Sequence, residues 1–230
     1  MRRLLSILLG PCLFLALLPW LATAQTLEFL PEIDAVYKLN STIRFDFQAK
    51  QTRENGDPTQ AEIGPSVDFL AKPLIKLKRT SRYDPDESKQ RALALSFGYR
   101  YLPSPDTATV QRVILAATPN LPLMAGLLLS DRNRGELNSS SNGFDWRYRN
   151  RLNLQRTFDI YSHHPIPYAS VELFYDSKYQ KWSSTALYAG CRIPFGRSVQ
   201  VDSYYEHENN TGKAPNPRVN VIGLILGLYF

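Results

Sequence analysis

Three arginines stand at every second position in the run Trp146-Arg147-Tyr148-Arg149-Asn150-Arg151. In an extended chain that spacing puts all three guanidiniums on one face. There they can clamp carboxylates, draw in anions, or fill a polar interior by bridging acids. Glu172 and Asp176 keep the same two-residue rhythm in the run Ser170 to Asp176, and Arg44, Asp46, Arg100, Arg192, Asp202 and Glu206 also sit at alternating positions. With Asp34, Glu62 and Asp68 they make a mixed, nearly balanced set. The pattern predicts one interior charge network of Arg44, Asp46, Arg100, Arg147, Arg149, Arg151, Glu172, Asp176, Arg192, Asp202 and Glu206. Within it Arg149 or Arg151 is expected to pair with Glu172 on the next strand, because an unpaired buried arginine is costly.

Catalysis would need a base beside a nucleophile or an activated water. The histidines are His163, His164 and His207. The first two fall in a turn before Pro165, where polar residues need no special explanation. Glu206-His207-Glu208 could orient a base toward Ser203, but alternation puts Glu206 and His207 on opposite faces. No His-x-x-His, Gly-x-Ser-x-Gly or glycine-rich phosphate loop occurs. Cys191, the one cysteine beyond residue 24, can make neither an internal disulfide nor a thiolate metal cage. No catalytic residue, metal or cofactor is expected. A hydrolase acting on lipid or envelope polymer from the rim is the alternative class.

The elements that must position these residues read as β-strands. Ile43, Phe45, Phe47 and Ala49 alternate with Arg44, Asp46, Gln48 and Lys50; Leu93, Leu95, Phe97, Tyr99 and Tyr101 alternate with small or polar residues. Trp146, Tyr148, Leu152 and Leu154 oppose the arginines, with Asn150 as a polar intruder, and Phe174 breaks the polar row of its own strand. This period of two, without a lasting helical period, is the strand signature. Turns are expected at Asn40-Ser41, Asn55 to Pro58, Lys72-Pro73, Pro119-Asn120, Pro165 to Pro167 and Pro194 to Gly196. About 11 strands can be tallied, centred near Ile33, Phe45, Val67, Phe97, Ile114, Leu127, Arg151, Leu173, Leu187, Tyr204 and Ile225. Single-chain bacterial barrels have even counts, so the expectation is 10 to 12 strands, about 12 being favoured. The extra strand would hide between Leu74 and Arg91, or else Leu27 to Leu39 would lie partly outside the wall.

The first residues follow the layout of a secretory leader: Arg2 and Arg3, the apolar run Leu4 to Leu18, then Ala22-Thr23-Ala24. Residues 1–24 are expected to be removed, Cys12 among them, leaving 25–230 as one domain. The formal charge is +6, yet the 27 Lys and Arg alternate with apolar residues and form no basic stripe, which argues against nucleic acid.

Alternation alone also fits a soluble barrel. The last strand and the aromatics near strand ends together favour the membrane. Ile222, Leu224, Leu226, Leu228 and Phe230 share one face, the other face is equally uncharged, and the chain stops on an aromatic. Such a row suits lipid and reads as a barrel-assembly signal. Tyr99, Tyr101, Trp146, Tyr175, Trp182, Tyr229 and Phe230 near strand ends suit the membrane interface. The fold class is therefore all-β, an antiparallel meander transmembrane β-barrel. Expected partners are outer-membrane lipid and lipopolysaccharide, with the barrel-assembly machinery and periplasmic chaperones during biogenesis. A monomer is expected.

Gly98-Tyr99-Arg100-Tyr101, Trp146 to Leu152, Pro167-Tyr168-Ala169-Ser170-Val171-Glu172-Leu173-Phe174-Tyr175-Asp176 and the terminal strand resemble the outer-membrane barrel family known as domain of unknown function 2490. The resemblance implies the barrel and the outer membrane, and no chemistry. The expected role is structural, or a narrow passive channel for small polar or charged solutes. The 206–218 segment, rich in Asn, Gly and Pro, reads as an exposed loop.

Overall fold

A computed structural model describes residues 26–54, 56–71, 83–105, 107–212 and 217–230. The expected leader, the Lys72-Pro73 turn and most of the 74–91 segment's first half lie outside the described residues. Eleven strands are described: β1 (Thr26–Lys38), β2 (Ile43–Glu54), β3 (Asp57–Ala71), β4 (Leu93–Leu102), β5 (Val110–Pro122), β6 (Leu127–Ser140), β7 (Gly143–Arg156), β8 (Ile166–Asp176), β9 (Lys181–Phe195), β10 (Val199–Asn210) and β11 (Arg218–Tyr229). Each pairs with its sequence neighbours in antiparallel fashion, and β11 closes the barrel on β1.

The closure corrects the even count and the purely antiparallel reading. An odd meander brings its first and last strands into the same direction, and β1 and β11 pair in parallel from Thr26↔Val219 to Val36↔Tyr229. The terminal residue extends the seam, with Phe230 N donating to Val36 O at 2.8 Å and Lys38 N to Phe230 O at 2.9 Å. All of β1 is wall. β3 pairs directly with β4, so no wall strand fits between them.

Proline-based turn expectations shift as well. Pro119 and Asn120 lie inside β5, where the β5–β6 ladder skips from Ala117↔Asn133 to Asn120↔Ser130. A residue without N–H is tolerated at such a gap. Ile166 and Pro167 start β8, Pro194 and Phe195 end β9, and Glu206 to Asn210 belong to β10 rather than to a loop. At the tight β6–β7 hairpin, Gly143 takes φ +119°, a conformation that favours glycine. The centre of β6 is Asn133–Arg134, well past Leu127.

The two faces of the wall are chemically opposite. Leu115, Leu187 and Phe97 point outward and are 55%, 54% and 51% exposed, whereas Glu136 and Glu172 point inward and are 0% exposed. The Ile222-Leu224-Leu226-Leu228-Phe230 row lies on the outer face, opposite the buried Val221, Gly223 and Gly227. Outward aromatics gather near the two ends: Tyr37, Phe45, Phe69, Phe195 and Phe230 at one, Tyr99, Tyr101, Phe144, Trp146 and Trp182 at the other. Tyr229 departs from this set and lines the lumen.

Candidate functional site: the charged lumen

Alternation within β7 and β8 delivers the arginines and acids to one interior surface. Glu172 is its hub. Arg149 grips it with two bonds, Nε to Oε1 and Nη2 to Oε2, both 3.0 Å. Arg151 adds Nη2 and Nε on Oε2 at 2.6 and 3.0 Å, and the Tyr188 hydroxyl donates to the same oxygen at 2.8 Å. Both arginines expected to pair with Glu172 therefore reach it. Both guanidiniums also lie over aromatic rings, Arg149 over Phe174 at 4.6 Å and Arg151 over Tyr188 at 4.0 Å. This places Phe174, the apparent break in the polar row, inside the barrel. It is buried with Ala186 and Tyr188 in a small apolar cluster that supports the ion pairs.

The sequence reading missed half of this surface. Arg132 reaches Glu172 at 3.3 Å. Glu136 lies in ion-pair range of Arg134 at 2.8 Å, Arg149 at 3.1 Å and Arg112 at 3.6 Å, and Glu62 in that of Arg112 at 3.3 Å. Arg132, Arg134, Glu136 and Asn138 do alternate, which was the available signal. It was masked because Asp131 and Asn133, between them, are polar too. These two face outward, where Asn150 Nδ2 donates to Asp131 Oδ1 at 2.6 Å and the Tyr148 hydroxyl to Asn133 Oδ1 at 2.5 Å. The polar intruder Asn150 thus belongs to an outer-face cluster that satisfies itself.

The other expected members are distributed around the ring. Arg147 pairs with Asp176 at 3.2 Å. Arg100 donates to Pro65 O at 2.8 Å and Gln48 Oε1 at 3.0 Å, and lies 3.8 Å from Glu62. Asp202 accepts from the Tyr168 hydroxyl at 3.0 Å, while Arg192 donates to Gln155 Oε1 at 2.6 Å. Glu206 is buried opposite Tyr188 in the β9–β10 register. Asp34 and Asp46, in β1 and β2, each keep a buried oxygen with no hydrogen bond. The network is therefore several clusters.

One end of the lumen holds a folded-in segment, Tyr83 to Arg91, with a single 3-10 turn at Glu87–Gln90. Arg44 joins it to the wall, with Nε on Asp68 at 2.7 Å and Nη1 on Asp86 at 2.6 Å. Asn120 Nδ2 donates to Ser88 O and Arg91 O at 3.0 and 2.9 Å, and Gln200 Nε2 to Asp84 Oδ1 at 3.2 Å. Tyr83 stacks on His164, whose Nδ1 lies 2.8 Å from Asp159. Burial alone would raise the Asp86 carboxyl, but Arg44 and Lys89 outweigh it and hold Asp86 well below the usual range. Asp84 goes the other way, pushed up by burial against the pull of Arg192. Between this segment and the arginines lies a cavity of about 410 Å³, with Asp86, Ser88 and Lys89 in its lining.

Among the described residues no hydrogen bond joins a histidine to a serine, threonine or cysteine side chain. His207 faces outward against Asn220 Oδ1 at 2.8 Å, with Ser203 on the same outer face and Glu206 inside.

The sequence model of the family described as Protein of unknown function (DUF2490) matches residues 35–219. The chain belongs to this family. The DUF2490 match takes in Arg44, the Tyr83–Arg91 segment, and the whole arginine–glutamate surface of β5 to β8. Among the curated proteins none matches the chain. Two of the four segments that carry the resemblance, Trp146 to Leu152 in β7 and Pro167 to Asp176 in β8, supply Arg149, Arg151 and Glu172 to the hub.

Proposed function

We propose that this chain is an integral outer-membrane β-barrel, exported by a signal peptide, whose lumen is a narrow passage for small polar or charged solutes. The observation that carries the membrane reading is the inversion of the two faces. A water-soluble barrel buries its apolar residues within. Here carboxylates are sealed inside while leucines and phenylalanines stand exposed outside. Strands of 10 to 15 residues suffice to cross a bilayer at a tilt, and outer aromatics near both ends match the two interfacial girdles of such barrels.

The passage reading rests on the cavity and its charged lining. Arg132, Arg134, Arg149 and Arg151 line it from β6 and β7, and across the ring the β1–β2 side mixes Glu32, Asp34 and Asp46 with Arg44 and Lys50. The Tyr83–Arg91 segment then acts as a plug on one side. The role is non-enzymatic in this reading: Glu206 lies inside, away from His207 and Ser203 on the outer face. The outward β11 row serves barrel assembly, and the protein works as a monomer in contact with lipid and lipopolysaccharide.

The test is ionic conductance in a planar bilayer, comparing the wild type with Arg44→Ala, which loses both ties to Asp68 and Asp86. The expected result is a low wild-type conductance that rises in the variant. If neither conducts, although both show the gel shift on heating that marks a folded barrel, the passage is refuted and a structural role stands.

A further inference from the structure

We infer that the β6–β7 arginine surface is a binding site for a small doubly charged oxyanion of the phosphate type. The inference rests on the reading of the lumen as a solute-reached space, and gives that space a ligand class.

The carrying observation is a local imbalance of charge. Arg132 stands directly opposite Arg151, and Arg134 directly opposite Arg149, in the β6–β7 register. Like charges in that relation repel. Six guanidiniums, those of Arg100, Arg112, Arg132, Arg134, Arg149 and Arg151, lie within 4.0 Å of only three carboxylates, Glu62, Glu136 and Glu172. Purely structural bridging would match them more evenly. Asp34 and Asp46, each with an unbonded buried oxygen, sit across the ring on β1 and β2, too far round the wall to pair with β6.

The surplus faces open space. Arg132, Arg134, Arg149 and Arg151 all line the cavity, beside the hydroxyl-bearing Ser130 and Ser170. Arg132 is the most accessible, with 32% of its side chain exposed, and its Nε finds no acceptor. Planar guanidinium forks bind phosphate and carboxylate in pairs of parallel bonds. A dianion would relieve both like-charged pairs at once. A volume of about 410 Å³ admits inorganic phosphate or a small phosphate monoester.

The experiment is isothermal titration of the full chain, folded in detergent, with inorganic phosphate at low ionic strength. The wild type is expected to bind saturably. Arg132→Gln and Arg151→Gln are each expected to weaken binding about tenfold or more, the scale of a lost charge-assisted bond. Arg156→Gln, at the exposed end of β7, is expected to bind as the wild type does. If Arg156→Gln weakens binding equally, the attraction is diffuse and the site is overturned. A chain with the heat-dependent gel shift but no saturable phosphate binding overturns this inference alone; a chain without that shift overturns the barrel-in-membrane reading and the inference with it. Competition by short-chain phosphatidic acid separates the sources. Displacement assigns the site to a lipid headgroup, and no displacement to a free solute, the anion site standing in either case.

Discussion

Replacing Glu172 by Gln keeps the side chain's shape and removes its charge, which exposes how much the barrel depends on that one carboxylate. Glu172 is 0% exposed and receives Arg149 twice, Arg151 twice, Arg132 once and the Tyr188 hydroxyl once. The amide retains one acceptor oxygen and turns two N–H donors toward three guanidiniums. Taking one partner out of a buried ion pair costs about 3–5 kcal/mol, because the cations left behind are neither paired nor hydrated. The lumen cavity gives Arg151 and Arg132 some access to water, with 26% and 32% of their side chains exposed. That places the expected loss at the lower end, about 3 kcal/mol. The assay is equilibrium urea unfolding in lipid or detergent, followed by the heat-dependent gel shift. Lys38→Gln is the comparison: the Lys38–Glu87 pair is 43% and 40% exposed, and its loss should cost no more than about 1 kcal/mol. A double-mutant cycle with Arg149→Gln should give a coupling of about 1–3 kcal/mol. Should Glu172→Gln cost no more than Lys38→Gln, the hub is not the element that holds β6, β7 and β8 together.

Three further outcomes follow from the geometry. Gly223→Ala would set a methyl 2.0 Å from the Tyr204 ring, so it should destabilise by about 1–3 kcal/mol, and Tyr204→Ala should recover part of the loss in the same unfolding assay. Asn150→Leu takes the 2.6 Å donor from Asp131 on the outer face and should cost about 1–3 kcal/mol, reversed when Asp131→Leu is added. The docked plug should depend on acidity through Asp86, whose carboxyl Arg44 holds below its unfolded value of about 3.9. A depressed folded-state value means the stabilisation is fully present above about pH 4 and is lost as the pH falls further. Hydrogen exchange of the 83–91 amides, measured in Asp84→Asn because burial shifts Asp84 oppositely, should stay slow down to that point and quicken below it. Quickening between pH 7 and 5 would contradict the Arg44–Asp86 tie.

The wall was legible wherever one face is apolar and the other polar. In β2, β7, β8 and β10, alternation alone sorts inward from outward residues, and the lumenal positions of Arg44, Arg151, Glu172 and Asp202 follow from it. It fails where both faces are polar, as in β6, and so Arg132, Arg134 and Glu136 escaped notice although they complete the arginine surface. Prolines misled in the opposite sense: Pro119 and Pro194 read as turns, but a strand tolerates proline where its ladder is interrupted or ends. Strand parity was legible in the tally, since each of the eleven centres read from alternation falls in a different strand; what misled was the general preference of single-chain barrels for even counts. The plug was not legible. Asp84 and Asp86 form local turns whose partners, Arg44, Arg192 and Gln200, lie 42 to 116 residues away.

The most direct test of the central account is site-directed spin labelling of the full chain in lipid vesicles. Nitroxides at the outward positions Leu115, Leu187 and Leu224 are predicted to collide freely with oxygen and hardly at all with a water-soluble nickel chelate, and those at the inward Ser96 and Asn153 to show no such lipid signature. Outward sites as open to the nickel chelate as a water-facing loop would contradict the lipid-facing wall, and with it the reading of the charged interior as a membrane lumen.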